Sequence, residues 1–195
     1  MNKYLYRFIV VLTVFAVVLP VTSALSAEES EWKALKKEEK REKIDMRAAE
    51  NLELLFTKSP KAKELYDKAH GWAAFHNLKL AIGLTAGGGK GVAIERESDK
   101  HTYMEMATVG VGVSLGGQKS DLIFLFEDSH TYQNFVDNGW QADASANAVA
   151  GVYGANATTG FVNGLVVFQL TDAGLMASAD VAGTKYWKDG NLNNE

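Results

Sequence analysis

The spacing of apolar residues divides the chain into successive regimes. Phe8 to Leu19 is apolar without a period, broken only by Thr13, and is too short to span a bilayer comfortably. Charge then takes over. Lys36, Lys40, Lys43 and Arg47 recur at i, i+4, i+7 and i+11, one stripe of a helix, with Glu38, Glu39 and Glu42 interleaved. This pattern predicts a solvated helix laced with ion pairs. A basic face docking on a membrane, with Trp32 and Leu35 as interfacial anchors, is the alternative. From Ile44 the pattern changes: Ala48, Leu52, Leu55 and Phe56 join it at helical spacing, and that face is expected to pack on a sheet. Ser59-Pro60 opens a second helix, with Ser as N-cap and Pro at the first helical position. It is expected to run through Leu65 and Tyr66 to Ala69 and to stop at Gly71.

Past Gly71 the period falls to two. Strands are predicted at Trp72 to Phe75, at Leu78 to Ala86 ending in Gly87-Gly88-Gly89, and at Val92 to Arg96 and Thr102 to Met106 around a polar turn, Glu97 to Lys100. Within Thr108 to Asp128, Val109, Val111, Val113 and Leu115 alternate with Gly110, Gly112, Ser114 and Gly116. A strand face without side chains lets another backbone come close. Gly116-Gly117 reads as a turn, and Leu122 to Phe126, apolar on both faces, as a doubly buried strand. Asp128-Ser129 is expected to cap a helix that carries Tyr132, Phe135 and Val136 and ends at Asn138-Gly139. Gln141 to Thr159 is rich in Ala, Gly and Asn, and periodicity leaves both a loop and a packed segment open. Leu165 to Leu170 and Leu175 to Tyr186 complete the strands, and Asn191 to Glu195 is expected to fray. The sum is one α+β domain: N-terminal helices on an antiparallel, Gly-rich sheet, open or barrel-like.

Composition adds an address. Lys3 and Arg7, the apolar run, and the small residues Thr22 to Ala27 form the layout of a secretory signal peptide cut after Ala27 or Ala24. The expected organisation is a leader at 1–27, a charged helical extension at 28–58, a domain at 59–190 and a polar tail at 191–195. The chain has no Cys, which excludes disulfides, thiolate metal sites and a lipid anchor on the mature N-terminus. A secreted chain without Cys points to a bacterial periplasm. Without its leader the chain keeps 18 basic and 24 acidic residues, a net charge of −6. That balance lacks the basic footprint of a nucleic-acid binder.

Catalytic motifs are weak. Gly87-Gly88-Gly89-Lys90-Gly91 fails as a Walker loop, because Leu84 stands where Gly is required and Gly91 where Ser or Thr holds magnesium. A simple glycine turn, or a backbone nest for phosphate with Lys90 as its charge, remains. Asp121, Asp143 and Asp180 are the candidate acids of an enzyme, and each is more often a turn or cap residue. His70, His76, His101 and His130 show no metal-ligand spacing; His70 reads as a helix-end cation and His76 as a loop residue. No cofactor and no metal is implied.

Four segments in order resemble the SYLF domain family: Ala69-His-Gly71-Trp-Ala73-Ala-Phe75, Gly87 to Val92, Gly112-Val-Ser114-Leu-Gly116-Gly117-Gln118-Lys-Ser120-Asp121-Leu122, and Ala142-Asp143-Ala144-Ser145. The resemblance spans roughly Pro60 to Trp187. It implies a non-catalytic, lipid-binding domain, with phosphatidic acid or phosphoinositide-like head groups as the ligand class. Actin, a partner of eukaryotic members, has no place in a periplasm. On this reading Lys90, Lys119 and, less so, Lys79 are the expected head-group contacts. Gly88, Gly89 and Gly91 form the backbone around Lys90, and Trp32 and Trp72 are the interfacial residues. A structural or partner-binding envelope protein without a lipid ligand is the alternative. A hydrolase built on the three aspartates is the remaining one.

Overall fold

The computed structural model describes residues 3–142, 160–171, 174–176 and 183–194, with side chains at 28–79, 86–109, 119–141, 160–171, 175 and 183–194. Two compact units divide it, Met1–Glu42 and Lys43–Glu195. Helix α1 (Lys3–Lys58) supplies the described part of the first unit. There ion pairs at helical spacing form beside the predicted stripe rather than along it. Lys33 pairs with Glu29 at 2.7 Å and Arg41 with Glu38 at 3.3 Å, while Lys36 lies over the exposed Trp32 ring at 4.8 Å. Among the described residues no helix is long and apolar enough to cross a membrane.

The second unit begins with the last turns of α1. Helix α2 (Pro60–Lys68) follows, with the Ser59 hydroxyl accepting the Ala62 amide at 3.2 Å, the cap its Ser-Pro start predicts. The helix ends at Ala69, and Gly71 instead opens a strand, where any Cβ would press on the Tyr132 ring at 2.6 Å. Next come β1 (Gly71–Glu95), β2 (Lys100–Phe126), α3 (Ser129–Asn138), β3 (Trp140–Ala142), β4 (Leu165–Thr171), β5 (Gly174–Met176) and β6 (Thr184–Lys188). Helix α3 starts where Asp128 accepts the Thr131 amide at 2.8 Å and stops at Gly139, held at φ 70°, a value glycine adopts freely.

The fold is α+β, and among the described residues every strand pairing is antiparallel. Its spine is the β1–β2 hairpin, paired from Glu95–Lys100 at the turn to Gly71–Phe126 at the far end, with one register shift between Ile82 and Leu84. On its other edge β2 pairs with β6 through Met104–Thr108 and with β4 through Ser120–Phe126. The short strands that the alternation predicts are therefore parts of two long ones. Gly116-Gly117 and Gly87 to Gly91 are strand rather than turn, with Gly117 opposite Leu80 and Gly89 opposite Met106. No residue from Gly87 to Gly91 has positive φ, so no nest forms there. His76 is likewise in β1 and not in a loop.

Those glycines serve a different geometry. A Cβ on Gly91 would lie 2.2 Å from the Ala74 carbonyl oxygen, one on Gly89 1.9 Å from that of His76, and one on Gly87 2.9 Å from that of Leu78. Alternate glycines of the second half of β1 thus meet alternate carbonyls of its first half. The strand curls until its own backbone packs on itself, a contact that only a glycine face permits.

Each face of the sheet carries a core. Phe75, Phe124, Phe126, Met104, Met106 and Tyr186 pack with Tyr132, Phe135 and Val136 of α3. On the opposite face Trp72, Ala74, Ile123, Leu125, Val166 and Phe168 pack with Ala48, Leu52 and Leu55 of α1 and with Ala62 and Leu65 of α2. The described part of the C-terminal tail is held in place through Asn193 rather than frayed, and Glu195 lies outside the described residues. Leu192 is buried, and the Asn193 side chain accepts the Tyr103 amide at 2.9 Å and donates to the Tyr103 carbonyl at 2.7 Å.

Gly89→Ala is therefore expected to cost about 3 kcal/mol, the upper end for overpacking, because the obstacle is a backbone carbonyl. Gly190→Ala, which meets nothing within 4 Å, should stay within about 0.5 kcal/mol of the parent. Urea midpoints decide it, and equal midpoints would refute the glycine-track account.

Candidate functional site

The apolar stripe of α1 lays that helix on the sheet, and the side chains beside the stripe wall a groove. One wall is Lys43, Ile44, Met46, Arg47 and Glu50. The other is the glycine track from Gly88 to Gly91 with Ala74, His76, Leu78 and Met106. Lys90, Glu105 and Trp187 also line it, and its volume is about 830 Å3. That is the size of a pocket for a drug-sized ligand. Met46 is 59% exposed and Leu78 42%, so apolar side chains from both walls stand in solvent.

Two contacts hold the helical wall. Asp45 accepts the Tyr103 hydroxyl at 2.8 Å and pairs with His101 Nδ1 at 3.2 Å, which ties α1 to β2 directly beside Ile44. On the sheet wall His76 Nδ1 meets Asp121 Oδ1 at 2.7 Å, its register partner on β2. Asp121 is therefore engaged in a cross-strand pair. Asp143 and Asp180 lie outside the described residues. Among the described residues no cluster of His, Asp and Glu has the geometry to hold a metal.

Lys90 does not present a bare charge. Its ammonium donates to Glu105 at 2.8 Å and to the buried Asp189 at 2.5 Å. Glu105 in turn accepts the Trp187 indole N–H at 3.2 Å. Burial alone would lower the Lys90 pKa, but the two carboxylates outweigh it and hold the group above the usual lysine range. Burial would also raise the Asp189 carboxyl. The Lys90 ammonium and the amides of Leu192 and Asn191 outweigh that and hold it below the usual carboxylate range.

The expected site residues separate accordingly. Gly88, Gly89, Lys90 and Gly91 come together in the groove. Lys79 is 8% exposed, on the face of β1 opposite to His76 and Leu78, and Lys119 is exposed at the register position of Leu78. Trp72 is 6% exposed and stacks edge-on with Tyr66, so it reaches no surface. Trp32 is exposed but belongs to the other compact unit. Glu105, Asp189 and Trp187 escaped the sequence reading, since nothing local links them to Lys90. Lys43 and Arg47 were legible as part of the basic stripe, but their place in a groove was not.

Residues 107–195 match the family model described as Ysc84, Las17-binding protein actin regulator. A protein of Aeromonas veronii, beta cell expansion factor A, is 37% identical over 138 residues, 71% of this chain and 53% of that protein. The chain belongs to the SYLF (Ysc84) family. It spans about half the length of that curated relative. Family membership carries a binding role as its coarse function. Of the four resembling segments, the one from Gly112 to Leu122 and the one at Ala142 fall within the matched residues. The latter continues outside the described structure.

The Asp189 arrangement has a pH consequence. A depressed folded pKa contributes stability that is present above the unfolded value, about 3.9, and is lost as pH falls through the folded one. Melting temperature should therefore drop below about pH 4 in the parent, and Asp189→Asn should be less stable at neutral pH with a shallower acid limb. A variant whose melting curve parallels the parent's across that range would refute the role of the Lys90–Asp189 pair.

Proposed function

We propose that this chain is a non-catalytic, periplasmic binder of anionic phospholipid, working after removal of a leader that ends near Ala27, and that the groove beside α1 is its site. The observation that carries this is one cavity of about 830 Å3 with apolar side chains on both walls and Lys43 and Arg47 one helical turn apart on one of them. Apolar walls suit acyl carbons, and two cations one turn apart suit a phosphate. A net charge of −6 repels an acidic membrane, so attraction must be local. The groove holds such a local pair. Lys90, paired with two carboxylates, lines the same groove and adds its charge to the floor. In this reading the sequence-expected glycines contribute surface, because their missing side chains keep the groove open, and Lys119 lies outside it.

A second reading has one supporting observation. The family description names a protein partner, and Met46 and Leu78 offer an apolar lip that would suit a segment of an envelope protein.

Native mass spectrometry and lipid extraction of protein purified from the periplasm separate the two. Stoichiometric phospholipid is the expected result. Lys43→Gln with Arg47→Gln should weaken binding to anionic vesicles by roughly thirtyfold, at about 1 kcal/mol for each cation near such a surface. Undiminished binding by the double variant would move the site away from the groove. An empty protein that also ignores anionic vesicles would favour the partner-binding reading.

A further inference from the structure

The sheet wall of the groove carries a histidine whose ring nitrogens have different surroundings. Alternation along β1 sends Ala73 and Phe75 to the core shared with α3, and Ala74 to the core shared with α1. His76 and Leu78 follow Ala74 on that second face, and all three line the groove. His76 Nδ1 meets Asp121 Oδ1 at 2.7 Å, across the β1–β2 register. Among the described residues no group bonds its Nε2, and the side chain is 32% exposed.

The pair with Asp121 fixes what the ring offers a ligand. An ionised carboxylate only accepts, so Nδ1 keeps its hydrogen and donates it to Asp121. The neutral ring then has a lone pair at Nε2, an acceptor that a phosphate oxygen avoids. Protonation replaces the lone pair with an N–H, and the same atom becomes a charged donor. Histidine is the side chain that makes this change between about pH 5 and 8. The charges around it are of both signs. Asp121 faces it from β2, and Lys119 lies two residues along on the same face. Lys43, Arg47 and Glu50 stand on the α1 wall, and Lys90 and Glu105, bonded to each other, also line the groove. Strand β4, paired with β2 beyond Asp121, carries no charged residue.

We propose that His76, held by Asp121, is a proton-gated head-group contact of the groove: neutral, it disfavours a phosphate there, and protonated, it binds one. This rests on the reading of the groove as a phospholipid site. Lys43 and Arg47 reach a phosphate from the helical wall, and the His76 Nε2–H donates to a non-bridging phosphate oxygen from the sheet wall, so the head group is held from both sides. Asp121 keeps the Nδ1 hydrogen bond throughout. Binding of the anion is thereby coupled to uptake of one proton at His76, and the groove binds more tightly toward mildly acid pH.

The probe is a vesicle of phosphatidylglycerol and phosphatidylcholine. A phosphodiester keeps its single charge across this range, so a pH effect reports the protein. Binding is measured by co-sedimentation at about pH 6 and about pH 8, either side of an ordinary histidine. The parent is expected to bind about fivefold more tightly at the lower pH, the contribution of one cation near an anionic surface. His76→Gln, which can still donate to Asp121, should keep the parent's affinity at the higher pH and lose the gain at the lower one. His70→Gln, outside the groove, should retain the gain. Equal binding by the parent at both pH values would overturn the contact and leave the groove standing as the lipid site. A gain that survives in His76→Gln, or that disappears in His70→Gln as well, would also overturn it. Absence of binding by the parent at either pH would overturn it together with the phospholipid reading.

Discussion

The close approach of β1 to its own backbone is the constraint on which the second unit rests. Gly87, Gly89 and Gly91 let one half of the strand lie against the carbonyls of Leu78, His76 and Ala74. Glycine in a strand ordinarily weakens it by about 0.5–1 kcal/mol relative to alanine. Here the absence of a side chain is the requirement, since any Cβ on Gly89 would sit within bonding range of an oxygen. The curl lets a single hairpin serve two neighbours: β6 pairs with the turn-proximal half of β2 and β4 with the other half. It also places the glycine track along the groove, so the same small residues that close the backbone leave its wall low.

Around that hairpin, polar contacts fix elements that packing alone would leave free to slide. Hydrophobic burial is non-directional. The stripe from Ala48 to Leu55 brings α1 onto the sheet, but the Asp45 carboxylate on His101 and Tyr103 specifies where it stops. The C-terminal tail is held similarly. Asp189 accepts the amides of Asn191 and Leu192, and Asn193 satisfies both backbone groups of Tyr103 as a neighbouring strand would. Lys90 links this tail to β1 and β2 through Asp189 and Glu105, so the groove floor and the tail share one ion cluster. Family membership supplies the coarse function, a binding domain, and the groove gives that function a physical location to test.

Short-range rules were legible wherever a feature closes within a few residues. The Ser59 and Asp128 caps, the Gly139 stop, the polar hairpin turn and the apolar face of α1 all appear where pattern puts them. Two kinds of feature were misread. Glycine runs read as turns because glycine is permissive of turns, yet Gly87 to Gly91 and Gly116-Gly117 continue strands. Trp72 reads as a surface contact because it is a good ligand residue in isolation, and the ion partners of Lys90, which lines the groove, carry no local signal. Partners 15 and 99 residues away claim Lys90, and Tyr66 with the neighbouring core covers Trp72.

What the sequence by itself determined, then, is the inventory: helices before strands, an antiparallel sheet with one glycine-lined face, and the motifs that place the chain in its family. Each follows from periodicity, capping and residue order, which are local properties. Only the tertiary structure decided what the glycines approach, which lysine is neutralised, and that Lys43 and Arg47 share a groove with His76. Those outcomes depend on the curl of one long hairpin, which brings together residues whose separation in sequence carries no signal of their contact.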